Sequence, residues 1–173
     1  MPAEIIYFEI HIAPMFREID RRHMLARLDL WSYQDVVSKK DKVLDRLLRD
    51  MPTDNSGGLW PVEWTDLFKR WIAMGTPRLE RGLGTEYGAK RQGGSILLTA
   101  KGQLPSKGYN VWFEFIRGAK TPNQLVLYQK PPTKPPGGPP ISFSIKDTIP
   151  DPGPSFNSIL LEDKNGIQTV PIT

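Results

Sequence analysis

What most constrains this chain is a change of character near residue 82, where apolar residues at helical spacing give way to short alternating runs cut by proline and glycine. Four of the five tryptophans precede that point, whereas 12 of 17 prolines and 10 of 15 glycines follow residue 85, so the two halves cannot share one architecture. Gly82-Leu83-Gly84, with Gly88, Gly93 and Gly94 just beyond, reads as a linker between them. The expected fold class is α+β, with a three-helix unit led by a β-strand over residues 1–84 and an antiparallel β-sandwich over 85–173.

In the first half, Ile6, Phe8, Ile10 and Ile12 alternate with Tyr7, Glu9 and His11, the period-2 signature of a half-buried strand. Pro14 suits the first turn of a helix, where its missing N–H is no loss. Met15, Phe16, Ile19 and His23 then fall on one helical side. Ser32 with Asp35 resembles a capping arrangement, and behind it Val36, Val37, Val43, Leu44, Leu47, Leu48 and Met51 form a stripe that predicts a second helix of about four turns. Pro52 and the following TDNSGG run end it. A third helix starts at Trp60-Pro61, carries Trp64, Leu67, Phe68, Trp71 and Ile72 on one face, and stops at Gly75 and Pro77.

The second half contains strand-like runs near 95–103, 109–117, 124–130, 141–147, 155–162 and 167–172, separated by turn residues. Asn165-Gly166 predicts a hairpin, since a type I′ turn needs positive φ at both central positions. Short strands at this spacing argue for a sandwich rather than parallel β/α units. The stretch from Lys130 to Pro140 has the P-x-x-P spacing of polyproline ligands, and stiffness in a loop between strands explains it as well.

At 39% hydrophobic and 24% charged, the 173 residues suffice to bury a core. No apolar run approaches the roughly 20 residues of a membrane span, and the N-terminal run, carrying Glu4 and Glu9, is unlike a secretory signal, so a cytoplasmic location is expected. The formal charge of +4 arises after residue 85, where 10 basic residues face 6 acidic ones, but they are scattered singly. A nucleic-acid footprint would cluster them on one face, and no such partner is expected. The chain has no cysteine, which excludes thiolate catalysis, disulfides and thiolate metal sites.

Only two histidines, His11 and His23, remain for acid–base chemistry. Glu9 and His11, on one face of the expected strand, pair as metal ligands or proton carriers, or simply form its wet face. His23 lies one turn from Asp20, which would orient its imidazole, and Tyr7 offers a further proton donor. Neither histidine accompanies a nucleophile elbow, and no metal site is expected. GLGTEYG, residues 82–88, lacks the strand before and helix after it that a dinucleotide fingerprint requires. Trp60, Trp64 and Trp71 suit core packing.

The order IAPMFREIDRRHM, DLWSYQDVVSKKDKVLDRLL, RDMP and LWPVEWTDLFKRWIAMGTP, spanning residues 12–80, resembles a degenerate cytochrome-c-type helical domain. Ile19-Asp20-Arg21-Arg22-His23 stands where that family carries C-x-x-C-H, with Ile19 and Arg22 in the cysteine positions, and Met51 occupies a place like that of the axial methionine. The resemblance implies a helical fold whose covalent haem attachment is lost, with His23 and Met51 as the axial pair of any untethered haem. The second half resembles immunoglobulin-like sandwiches without their Cys-Trp-Cys signature. Together these readings lead to the expectation of a non-catalytic binding or accessory protein without a cofactor, whose partner is a protein or a small apolar molecule. The alternative is a small-molecule enzyme, such as a cyclase, isomerase or lyase, using a cleft between the two units with His23 and Asp20, or His11, Glu9 and Tyr7, as its acid–base groups.

Overall fold

The computed structural model describes residues 4–51, 59–133 and 137–173. The chain divides into two compact units, Met1–Leu79 and Glu80–Thr173, helices first and strands second.

The first unit opens differently from the alternation at 6–12. Phe8–Ile12 is a turn of π-helix and Ala13–Met15 a 3-10 turn, so the expected leading strand is absent. The reason lies in the spacing itself, because Phe8 and Ile12 are four apart and share a helical face as readily as a strand face. Both are buried, and Ile10 is left exposed. Phe8 packs edge-on against Tyr33 at 5.5 Å and beside Trp71 at 5.6 Å, contacts that reward the coiled form. The imidazole Nδ1 of His11 accepts the Tyr7 amide N–H at 2.8 Å, closing the turn's open end.

Helix α1, Glu18–Met24, begins four residues after Pro14. Its start is set by Asp20, whose carboxylate accepts from the Arg17 amide at 3.1 Å and from that residue's guanidinium at 2.6 and 2.9 Å. The face of the helix that is buried is not the one expected. Asp20 is buried, while Ile19 and His23 are exposed. The long second helix is likewise broken into α2, Tyr33–Ser38, and α3, Lys40–Arg49, by Lys39 at φ −125°. Ser38 Oγ donates to the Asp35 carbonyl at 2.8 Å there, the local competition that makes serine a poor interior helix residue. Ser32 does cap α2, accepting the Asp35 amide at 3.3 Å, although the Asp35 carboxylate serves the Asp29 amide instead of returning to Ser32. Helix α4, Val62–Ala73, follows Pro61 and ends in Gly75 at φ +81°. Thr76 after it also holds a positive φ, and its carbonyl accepts the Tyr33 hydroxyl at 2.9 Å. Phe16, Val36, Val43, Leu47, Phe68 and Trp71 lie at the centre of this unit's core.

The second unit contains two sheets. In the larger, β5 (Gln124–Lys130) is central, with β4 (Asn110–Phe115) on one side; β7 (Ser158–Asp163) and the short β1 (Glu80–Arg81) share the other, and β8 (Gly166–Pro171) continues from β7. In the smaller, β2 (Leu83–Gln92), β3 (Ser95–Leu104) and β6 (Ile141–Pro150) run in the order β2-β3-β6. Two pairings depart from the antiparallel expectation, since β5 and β7 are parallel and so is the isolated bridge between Ala89 and Ile172. Alternate residues of both sheets, among them Ile96, Leu98, Leu125, Leu127, Ile159 and Leu161, meet in one core. Backbone bonds join β2 to the end of the chain, with Thr173 N–H donating to the Ala89 carbonyl at 3.0 Å and Arg91 N–H to the Thr173 carbonyl at 2.8 Å.

The segment read as a linker is the first half of β2, which runs across residues 84 and 85 without a break in the chain's course. Its register against β3 shifts between Gly84 and Glu86, leaving Thr85 as a bulge. The β7–β8 hairpin forms as expected, with another turn geometry: Gly166 has φ +109°, whereas Asn165 does not enter the positive region. The Asn165 amide donates to Asp163 Oδ1 at 2.7 Å, a side-chain-closed turn that makes a left-handed Asn unnecessary.

Candidate functional site

The acid–base residues predicted from sequence do not assemble. His11 uses Nδ1 to hold the Tyr7 amide, and its ring stacks on that of Tyr7 with centroids 6.3 Å apart. Glu9 accepts the Leu79 amide at 2.8 Å and lies 3.6 Å from the Arg78 guanidinium, so it ties the π-helical turn to the segment after α4. Asp20 is occupied by Arg17 rather than by His23. His23 points to solvent from the outer side of α1. Among the described residues no three histidine, aspartate or glutamate side chains converge as metal ligands.

One pocket lies wholly within the helical unit. It encloses about 680 Å³ between α1, the segment after it, and α3. Its floor is carbon and sulfur: Phe16, Met24, Leu28, Val43, Leu47 and Met51. Its rim carries Arg27, Lys39, Lys42 and Arg46 against Asp41 and Asp45. Met51 is thus at the pocket, but His23 is not among the residues lining it, so the axial pair implied by the cytochrome resemblance does not converge on one space. The donors present do not fit a haem. Trp60 and Trp71 are buried in the core, as expected of them, whereas Trp64 is exposed and rests edge-on against Trp60 at 5.5 Å.

A second pocket, of about 630 Å³, opens on the smaller sheet beside the Thr85 bulge, where Glu86, Lys101, Gln103 and Ser144 make its surface polar.

The polar cluster that sequence reasoning missed is built around Tyr87. Its hydroxyl donates to Asp163 Oδ2 at 2.6 Å, and Asp163 is buried. A methyl group on Gly84 would lie 2.0 Å from that hydroxyl oxygen, so only glycine lets the ring reach across. Burial, with the hydrogen bond to Asp163 second, pushes the Tyr87 hydroxyl far above its ordinary value. A phenol held so firmly to its proton is a poor acid, and the pair acts as a strut between β2 and the β7–β8 turn. The signal was present in the G-x-x-Y spacing of residues 84–87, but a glycine that makes room for a ring and a glycine that loosens a linker look alike in a sequence.

Two further ion pairs organise loops. Arg21 grips Asp29 with two bonds of 2.6 Å while its guanidinium lies 4.8 Å over the Trp31 ring. That guanidinium holds the Asp29 carboxyl below the usual carboxylate range, helped by the Trp31 amide. Arg91 binds Asp151 at 2.7 Å and the carbonyls of Gly153 and Phe156, pinning the proline-rich turn before β7; the Asp151 carboxyl is lowered by that contact and by the Gly153 amide.

Compared with known proteins, the chain matches no family model, no curated protein and no solved structure. Among its described residues no helix is long and apolar enough to cross a membrane.

Proposed function

We propose that this chain is a non-catalytic binding or accessory protein, built from a haem-free, cytochrome-c-like helical module and a β-sandwich. The observation that carries the reading is the state of the candidate catalytic groups: His11, Glu9 and Asp20 are each spent on a structural bond, and His23 stands alone at the surface. General acid–base catalysis requires a group within hydrogen-bond reach of a bound substrate, and none of the four lines either pocket. A roomy pocket with an apolar floor, lined by none of these four residues, suits retention of a ligand rather than its conversion. Two-layer packing of strands around one core supports the sandwich reading of the second unit.

A thermal-shift screen of the full chain against a metabolite library, with mass spectrometry of the hits, tests this. Ligands are expected to raise the melting temperature and to be recovered unchanged, with His11→Ala and His23→Ala giving the same ligand-induced shifts. A hit that is consumed, at a rate that collapses in either variant, would refute the reading.

A further inference from the structure

We infer that the pocket of the helical unit is a site for a small amphiphilic anion, an apolar body carrying one carboxylate; this rests on the binding-protein reading above and names its ligand class. The floor supplies contacts to carbon alone. Met24 and Met51 at its two sides are flexible thioethers that adapt to irregular apolar shapes.

The choice of an anion follows from how the rim charges are used. Arg46 is paired with Asp50 at 2.9 Å, and Asp45 with Arg49. Lys39 donates to the Arg27 carbonyl, and Asp41 has Lys40 at 4.0 Å. Among the described residues Arg27, Lys39 and Lys42 have no carboxylate within ion-pair distance, so the mouth keeps three positive charges without a counter-charge, of which only Lys39 is tied to a carbonyl. A carboxylate placed there gains their attraction while its hydrocarbon enters the floor. A cation or a neutral molecule gains only the second term. Arg27 and Lys42 are both exposed, so the electrostatic part is modest and screened by salt.

The test uses the full chain with methionine methyl groups labelled for NMR, titrated with decanoate, its uncharged methyl ester and decylammonium. Decanoate is expected to shift the Met24 and Met51 methyl signals while leaving Met74 in place, and to bind about tenfold more tightly than the ester, with decylammonium weaker still. Arg27→Gln and Lys42→Gln, exposed changes that leave the core intact, should each weaken decanoate about threefold and leave the ester unaffected. Added salt should do the same. The inference is overturned if decanoate and the ester bind alike, if the two variants bind decanoate as the parent does, or if the Met24 and Met51 signals do not move. Recovery of decanoate unchanged upholds the binding reading, while its conversion would overturn that reading separately from the location of the site.

Discussion

Replacing Tyr87 with phenylalanine removes one oxygen from a site where its absence should be felt throughout the second unit. The hydroxyl donates at 2.6 Å to a buried carboxylate, and hydrogen bonds to charged groups contribute about 1.5–3 kcal/mol. Asp163 would retain the Asn165 amide at 2.7 Å and the Gln168 side chain at 3.4 Å, which places the expected loss near the middle, about 2 kcal/mol. In a unit of this size that lowers the melting temperature by roughly 10 °C. Gly84→Ala attacks the same strut from the other side: its new methyl would meet the Tyr87 oxygen at 2.0 Å and the adjacent ring carbon at 2.2 Å, so the ring must leave Asp163. A loss of about 3 kcal/mol is expected from such overpacking. In a Tyr87→Ala background the obstruction is gone, and adding Gly84→Ala should change stability by less than about 0.5 kcal/mol. Urea titrations followed by far-UV circular dichroism, with hydrogen exchange of the Asn165 amide as a local reporter, measure the parent and all four variants. Additive losses in the double variant, or a Tyr87→Phe protein as stable as the parent with Asn165 equally protected, would refute the reasoning.

The same hydroxyl predicts an alkaline limb. Its proton affinity is higher in the folded chain than in the unfolded one, so the stabilisation is complete below the ordinary tyrosine value of about 10 and declines as pH rises beyond it; the parent should lose stability there more steeply than Tyr87→Phe in denaturant midpoints. Asp29 has the opposite sign: its lowered carboxyl stabilises above the unfolded value near 4 and loses that contribution as pH falls, so Arg21→Ala should flatten the acid limb of the melting-temperature profile. Trp71→Ala, which empties the middle of the helical core and removes the indole bond to the Pro77 carbonyl at 2.9 Å, should cost about 4 kcal/mol by urea unfolding. His23→Ala should stay within about 0.5 kcal/mol of the parent, while His11→Ala, which deprives the Tyr7 amide of its imidazole acceptor, should lose about 1 kcal/mol. Protein purified from cells supplied with iron and haem precursor should lack a Soret band in its absorption spectrum.

The order of elements was legible because periodicity reports burial, and burial decides elements of several turns or strands of several residues. Val36, Val43 and Leu47, or Ile96, Leu98 and Ala100, are buried as their spacing predicts. Phase was less legible. Residues 6–12 satisfy two periods at once, and the choice between them was made by Phe8 against Tyr33 and Trp71, partners distant in sequence. In α1 the expected His23–Asp20 pair does not form, because Asp20 is buried against Arg17 and His23 is exposed. The break at Lys39 left no mark in the apolar stripe, because Val36 and Val43, seven apart, remain on one side of the chain across it. The pocket was illegible for a related reason: Phe16, Val43, Leu47 and Met51 of its floor were read as apolar-face residues and Met24 and Leu28 fell in no stripe, and spacing alone does not reveal where a core falls short of filling its space.

The parallel pairing of β5 with β7 and the bonds from Thr173 to Ala89 and Arg91 bear on how the chain acquires its shape during synthesis. The helical unit draws on contacts within its first 79 residues and can form while the remainder is still being translated. The other unit cannot be completed in that gradual manner, since β2 waits for a partner some eighty residues downstream and β5 for one that lies across a long crossover. Its β2–β3 hairpin therefore lacks part of its edge pairing until residues 172 and 173 are available, and contacts of such long range make this the slower of the two units to form.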